Sequence, residues 1–170
     1  MQETPQEYIQ RMTGMLKGQK PLAIQAATAK KLSRAIARAN AAKLRKRPAP
    51  GKWSAAEILA HLADSEIVIG WRMRQILGAP GAAIQAYDQD AWAAAGHSEK
   101  RDARKSLEQF RAVREANLAL LKSLTPEQWK QHGMHSERGV ETIEHITVMM
   151  AGHDLNHLGQ VERIFAAKKK

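Results

Sequence analysis

Apolar side chains recur every three or four residues near the end of the chain, and this periodicity constrains the fold more than any other feature of the sequence. The repeat consists of Ile143, Ile146, Met150, His153, His157, Val161 and Ile164. Residues at this spacing share one face of an α-helix. The sequence therefore predicts a long amphipathic helix from about Thr142 to Ala167, with two histidines in its apolar stripe.

Three further segments have the composition of bundle helices. The clearest start is at Ser54, an N-cap residue that is followed three positions later by Glu57, so that the two form a capping box. This helix is predicted to end near Leu77. The starts of the other two are predicted near Thr28, after a break at Pro21, and at Ser98.

Shorter helices and loops connect these segments. Thr4 predicts a short helix that ends near Gly18, and Thr125 predicts another. The stretch 78–96 is expected to be a crossover with one short helical piece, and a loop is expected around Gly133 and Gly139. No segment alternates β-branched with polar residues, so the predicted class is all-α. We expect one domain over residues 1–170, a four-helix bundle with decorated crossovers.

The composition narrows the class of protein further. No stretch approaches the roughly 18 apolar residues of a membrane span, and the polar start does not resemble a signal peptide, so a cytoplasmic protein is expected. The chain contains no cysteine, which excludes a thiolate metal site and a cysteine nucleophile. Any thiol chemistry would have to use an external thiol.

The chain is basic, with 27 lysines and arginines against 17 acids and a formal net charge of +10. Such a balance raises the question of binding to nucleic acid or to an acidic membrane. The charge is dispersed, however, and its densest run, from Lys43 to Arg47, contains no aromatic residue and ends at Pro48. We therefore interpret the basic residues as solvated surface and expect neither a nucleic-acid nor a membrane partner.

A candidate metal site emerges from the histidines of the predicted helices. His153 and His157 lie four residues apart on one helical face, with Cβ atoms about 6 Å apart, so both imidazoles can bind one ion. His61 lies on the shoulder of the inward stripe of the second bundle helix and is the natural third ligand. That stripe consists of Ile58, Leu62, Ser65, Ile69 and Ile76.

The alternative is that each histidine is an ordinary core or surface residue satisfied by hydrogen bonds. Three imidazoles that replace aliphatic side chains in a core are costly to bury unless something satisfies their inward nitrogens, and a metal ion does so at once. The pattern alone leaves both interpretations open.

Two segments resemble DinB/YfiT-like proteins: WSAAEILAHLADSE at 53–66 and GHDLNHLGQ at 152–160. The resemblance extends to YDQDAW at 87–92 and GMHSERG at 133–139, and so covers most of the chain. It implies an up-down-down-up four-helix bundle, often a homodimer. It also implies one zinc or nickel ion bound by histidines that match His61, His153 and His157.

Three neutral nitrogen ligands leave a coordination position for water or substrate, as in catalytic metal sites. Proteins of the family that the chain resembles include transferases that use a low-molecular-weight thiol, and the same ion could activate water. The main hypothesis is therefore a metal-dependent thiol S-transferase or hydrolase with a small-molecule substrate. The competing hypothesis is a metal-stabilised binding or stress-response module without catalysis.

Three residues near the histidines are candidates for supporting roles. Glu57 and Asp64 lie four before and three after His61, and they are the candidate catalytic or orienting acids, with helix capping favoured for Glu57. Gln160 follows His157 by about one turn and could orient its ring.

Other side chains could form parts of a substrate pocket beside the metal ion. Tyr87 and Trp92 could wall a substrate cleft, although packing is the commoner role of such aromatics. His135 lies in a glycine-flanked loop that could form a lip of the pocket. It is nevertheless predicted to be a non-ligand, together with His97, His132 and His145, because none of the four has a paired spacing.

Overall fold

The computed structural model describes residues 3–166, and no helix in this range is long and apolar enough to cross a membrane. The α-helices of this range are α1 (Pro5–Gly14), α2 (Pro21–Ile36), α3 (Ala41–Arg45), α4 (Ala55–Gly78), α5 (Gln89–Ala95), α6 (Ala103–Ser123), α7 (Pro126–Lys130) and α8 (Ile143–Ala166). The strands are β1 (Ala83–Ile84), β2 (His132–His135) and β3 (Gly139–Thr142). Ala167, the predicted last residue of the final helix, lies outside the described residues.

The four long helices α2, α4, α6 and α8 form the predicted bundle, in which α2 and α4 each pack against both α6 and α8. Two apolar clusters fill its two ends. The first includes Ile36, Leu59, Phe110 and Val161. The second includes Met73, Leu121 and Ile146, with Leu22 packed against it.

The order of these residues along the chain sets the direction of each helix. α4 and α6 run from the first cluster to the second, whereas α8 runs from the second to the first. α2 runs with α8, because Leu22 near its start packs on the second cluster and Ile36 at its end belongs to the first. This is the up-down-down-up arrangement that the family resemblance implies.

A layer of polar side chains separates the two apolar clusters. It contains His61, Ser65 and Glu66 of α4, Arg114 and Asn117 of α6, and His153, Asp154 and His157 of α8, each at most 7% exposed. Burying so many polar groups is costly unless they pair with one another or bind a ligand. The candidate site lies in this layer.

Most helix starts follow the predicted caps. Ser54 and Glu57 form the capping box of α4, and Thr4 and Thr125 begin capping boxes in α1 and α7. The backbone N–H groups at a helix start have no partner inside the helix, so a nearby side-chain oxygen stabilises them and determines the first residue.

Three boundaries differ from the prediction. α1 ends at Gly14 rather than near Gly18. α2 begins at Pro21 rather than near Thr28, because the fixed φ of proline suits the first turn of a helix. Ser98 begins only a 3-10 turn. α6 starts after Asp102, whose carboxylate accepts hydrogen bonds from the backbone N–H groups of Arg104 and Lys105.

The segment predicted as a loop around Gly133 and Gly139 belongs to a three-stranded sheet, with β1 parallel to β2 and β2 antiparallel to β3. A three-residue connection joins β2 to β3 and leads to Gly139, which has a φ of 76°. Strands of two to four residues are too short to show alternation of polar and apolar side chains. The sequence signal that could have predicted this hairpin is Gly139, a turn residue, followed by the β-branched Val140.

Candidate metal centre

His61 of α4 and His153 and His157 of α8 meet inside the polar layer. One ring nitrogen from each residue can be chosen so that all three lie within 4.8 Å of one another, and the side chains are 5–7% exposed. α4 packs against α8, and this contact brings the three residues together from only two helices. A group of this kind could hold one metal ion.

The environment of the three imidazoles keeps them uncharged at neutral pH. Burial, together with a smaller contribution from the neighbouring His157, lowers the pKa of His61 to about 3. Burial also lowers the pKa of His157 to about 4, against a raising effect of Gln160. The pKa of His153 lies well below its usual value for the same reason, with both other histidines adding to the shift. Neutral imidazole is the form that binds metal.

The distance between the ring nitrogens of His61 and His153 fits a metal site. Nε2 of His61 lies 3.0 Å from Nε2 of His153. Two nitrogens bound to one zinc ion at about 2.1 Å are roughly 3 to 3.4 Å apart, depending on the angle between the bonds. Nδ1 of His153 is buried and has no hydrogen-bond partner within residues 3–166. The chain thus leaves one nitrogen of His153 without a partner, and imidazole nitrogens suit zinc and nickel.

Neighbouring side chains hold two of the rings in place. Oε1 of Gln160 accepts a hydrogen bond from Nδ1 of His157 at 2.9 Å, which supports the predicted orienting role of Gln160. Ser65 places its Oγ 3.4 Å from Nε2 of His61 and 2.8 Å from the hydroxyl of Tyr87. For His157, fixing Nδ1 leaves Nε2 free to face the centre of the group.

A buried ion network lies beside the histidines in the polar layer. Arg114 binds Glu66 at 2.8 Å and Asp154 at 2.5 Å, and Asn117 also donates to Glu66. The network joins α4, α6 and α8 next to His153. Sequence reasoning missed it, although a signal exists. Arg114 and Asn117 continue the three- and four-residue spacing of Leu107, Phe110 and Leu121.

A cavity of about 1220 Å³ opens beside the group and is lined by His153 and His157. Its walls come from α1, the end of α2, α3, the segment before α4 and the second half of α8. Trp53 lines the cavity and packs against His61, with ring centroids 5.1 Å apart. A ligand in this cavity would reach the two histidines of α8 directly.

The aromatic residues predicted as cleft walls lie elsewhere. Trp92 packs on Tyr87 with ring centroids 4.9 Å apart, and neither lines the cavity described above. His135 is buried in β2, where its Nδ1 accepts hydrogen bonds from two backbone N–H groups of the following turn. Tyr87 still touches the site through Ser65, whereas Trp92 has the packing role that was the alternative.

The two candidate acids are engaged by other groups. Glu57 caps α4 and pairs with Arg47, and these contacts hold its pKa below the usual value although burial raises it. Asp64 forms an ion pair with Arg101 at 2.8 Å. Within the described residues neither carboxylate bonds to a histidine of the group, so the orienting role predicted for Asp64 is not seen. His97, His132, His135 and His145 also lie outside the group.

Sequence comparison relates the chain, including its polar layer, to a known family. A family model of the DinB superfamily matches residues 26–161, a range that includes all three histidines. The chain belongs to the DinB superfamily. This agrees with the resemblance of the two histidine-containing segments to DinB/YfiT-like proteins.

Two individual proteins are also similar to this chain. It is 27% identical over 115 residues to YfiT of Bacillus subtilis (strain 168) and 24% identical over 112 residues to OB0413 of Oceanobacillus iheyensis. Both relatives are named as candidate metal-dependent hydrolases. The alignments cover 67% and 66% of this chain, and the chain spans 65% and 64% of the length of the relatives.

The solved structure of YfiT from Bacillus subtilis has the same fold, described there as an unusual four-helix bundle topology. It superimposes with a TM-score of 0.81 at 24% sequence identity, and the match covers 86% of this chain and 85% of that one. The predicted fold class is therefore confirmed.

Proposed function

We propose that this chain is a metal-dependent enzyme in which His61, His153 and His157 bind one divalent ion, zinc or nickel. The observation that supports the proposal most is the convergence of three uncharged imidazoles, of which His153 and His157 line a large cavity. A structural metal site is usually closed by a fourth protein ligand. Three ligands beside a cavity leave a position for water or for a substrate, which is the arrangement of catalytic sites.

The bound ion would supply a Lewis acid that polarises a substrate or lowers the pKa of a bound water. The residues of the chain prepare its site. Burial keeps the imidazoles neutral, and Gln160 and Ser65 orient His157 and His61. Trp53 packs on His61 from the side of the cavity.

Hydrolysis of a small molecule is the reaction we propose, because the relatives YfiT and OB0413 are named for it. Transfer to a low-molecular-weight thiol is the second candidate. A volume of about 1220 Å³ exceeds the roughly 300 to 1000 Å³ of an ordinary ligand site, so two reactants would fit. The thiol would have to come from outside, since the chain has no cysteine.

The test starts with metal analysis of protein purified without a histidine tag. The same preparation is then assayed for hydrolysis of nitrophenyl esters and for conjugation of glutathione to a chromogenic aryl halide, each with and without chelator. We expect about one ion per chain and turnover that is lost with chelator and restored by metal. His157→Ala should lose both, while His145→Ala on the same helix should keep both.

Two results would overturn the proposal. Protein without bound zinc or nickel, and without uptake of either ion, would remove the metal site. Full metal occupancy without chelator-sensitive turnover in either assay would favour the non-catalytic binding or stress-response module instead.

The cytoplasmic location remains a prediction from the sequence.

We also propose that the chain forms a homodimer, as the family resemblance implies. Ile67 and Trp71 lie one turn apart on the outer face of α4 and are 45% and 62% exposed. Large apolar side chains exposed together favour association. A second copy of this chain is the proposed partner for this face.

A further inference from the structure

Basic residues are concentrated in the lining of the cavity beside the histidines. Of its 24 lining residues, eight are lysine or arginine and only one, Asp90, is acidic. The whole sequence has 27 basic and 17 acidic residues among 170. The ratio of basic to acidic residues is therefore eight to one in the lining, against 27 to 17 in the whole chain.

Most of these cations have no partner within the protein. Arg11 pairs with Glu3, and Arg47 pairs with Glu57. The other six form no ion pair with any carboxylate of residues 3–166; they are Arg34, Arg38, Lys43, Lys46, Lys52 and Arg163. Like charges gathered around one concave space repel one another and create a positive potential there.

The metal site proposed above adds to this potential. Three neutral imidazoles leave the double positive charge of the ion uncompensated, and His153 and His157 line the same cavity as the six cations. A concave site focuses such a field more than a convex surface does, and so raises the local concentration of anions. The electrostatics of the cavity therefore select for negative charge.

The cavity also has an apolar side. Trp53, Ile164 and Phe165 line it together with the cations. An inorganic anion would use only the basic side, whereas a molecule with both an anionic group and an apolar body would contact both. Trp53 is the residue that links this apolar side to His61.

We infer that the small molecule bound in this cavity is an organic anion, a carboxylate or phosphate monoester with an apolar or aromatic body. This inference rests on the proposed function and names its substrate class. The anionic group lies among the unpaired cations, and the apolar body packs along Trp53 and Phe165. The reacting bond then lies beside His153 and His157.

The test measures binding by titration calorimetry with the full chain, in metal-loaded and metal-free forms. The probes are phenyl phosphate, phenylacetate, inorganic phosphate and uncharged benzyl alcohol. We expect both aromatic anions to bind at least tenfold more tightly than benzyl alcohol and inorganic phosphate. The ratio between phenyl phosphate and phenylacetate then shows which anionic group the cavity prefers.

Charge-reversal variants locate the binding surface. Arg38→Glu and Lys52→Glu should each weaken binding of the aromatic anions by about tenfold and leave benzyl alcohol unchanged. Lys105→Glu, which reverses an exposed charge on α6 outside the cavity, is the matched control for the change in net charge. Circular dichroism establishes that each variant is folded.

Several outcomes would overturn the inference. One is equal binding of benzyl alcohol and the aromatic anions. Another is an equal effect of Lys105→Glu and of the two cavity variants, Arg38→Glu and Lys52→Glu. The third is displacement of phenyl phosphate by a duplex oligonucleotide at a concentration far below that of phenyl phosphate. The proposed function fails separately. Anion binding by a protein that takes up no metal would contradict the proposed enzyme function and support this inference. Chelator-sensitive turnover of uncharged substrates alone would support the enzyme function and contradict this inference.

Discussion

Oε1 of Gln160 lies 2.9 Å from Nδ1 of His157, one turn earlier on α8. An amide oxygen only accepts hydrogen bonds, so the proton of the neutral imidazole is on Nδ1. The lone pair of Nε2 then faces the other two histidines. Gln160 thus selects the tautomer that can bind a metal.

Gln160→Ala should lower the affinity for zinc by about 10- to 100-fold, the usual effect of removing a residue that orients a metal-binding histidine. Competition with a chromophoric chelator measures the affinity. Gln10→Ala, at an exposed position of α1, is the control and should leave it unchanged. Equal zinc affinity of Gln160→Ala and the unmodified protein would contradict the orienting role.

His157→Ala should lose the bound metal and remain largely helical, because apolar residues on both sides of the polar layer hold α8 in the bundle. Metal analysis and far-ultraviolet circular dichroism report the two properties on one sample. His145→Ala on the same helix should retain the metal. Full occupancy in His157→Ala would remove this residue from the ligand set.

Arg114→Met should destabilise the protein by about 3–5 kcal/mol, because it leaves Glu66 and Asp154 buried without their cation. Urea unfolding of metal-free protein measures the change. Arg111→Met removes an exposed pair with Glu115 from the same helix and should change stability little. A loss no larger than that of Arg111→Met would show that the network is not needed for stability.

Gly152→Ala should lower stability by about 1–3 kcal/mol, as overpacking of a close contact does. A Cβ at this position of α8 would lie 1.9 Å from the backbone oxygen of Met12, so α1 has to move away. Thermal unfolding measures the effect. Gly78→Ala, where a Cβ meets nothing within 4 Å, should be neutral or stabilising. Similar melting temperatures for both variants would mean that α1 does not pack firmly at this glycine.

Trp71→Glu should shift the proposed homodimer to monomer, because a charge at the centre of an apolar interface leaves a desolvated carboxylate without a partner. Light scattering over a range of concentrations measures the mass. Trp92→Glu, which changes another exposed tryptophan, is the control and should remain dimeric. A monomer mass for the unmodified chain would refute the dimer.

Local signals predicted the helices well. Ser54 with Glu57, and Thr4 with Glu7, determine where α4 and α1 begin, because a cap satisfies backbone groups only three residues away. The placement of His153 and His157 on one face follows equally from helical geometry. The boundary at Ser98 was wrong because two capping residues compete there, and Asp102 starts the helix that packs in the core.

The sequence by itself determined most of the helices, their apolar faces and the placement of His153 and His157 on one face of α8. Only the tertiary structure decided that Asp64 pairs with Arg101, that Arg114 joins Glu66 to Asp154, and that cations from separate elements line one cavity. The reason is distance along the chain. Periodicity and capping act within one or two helical turns, whereas these partners are 37 to 48 residues apart and meet only after the bundle packs.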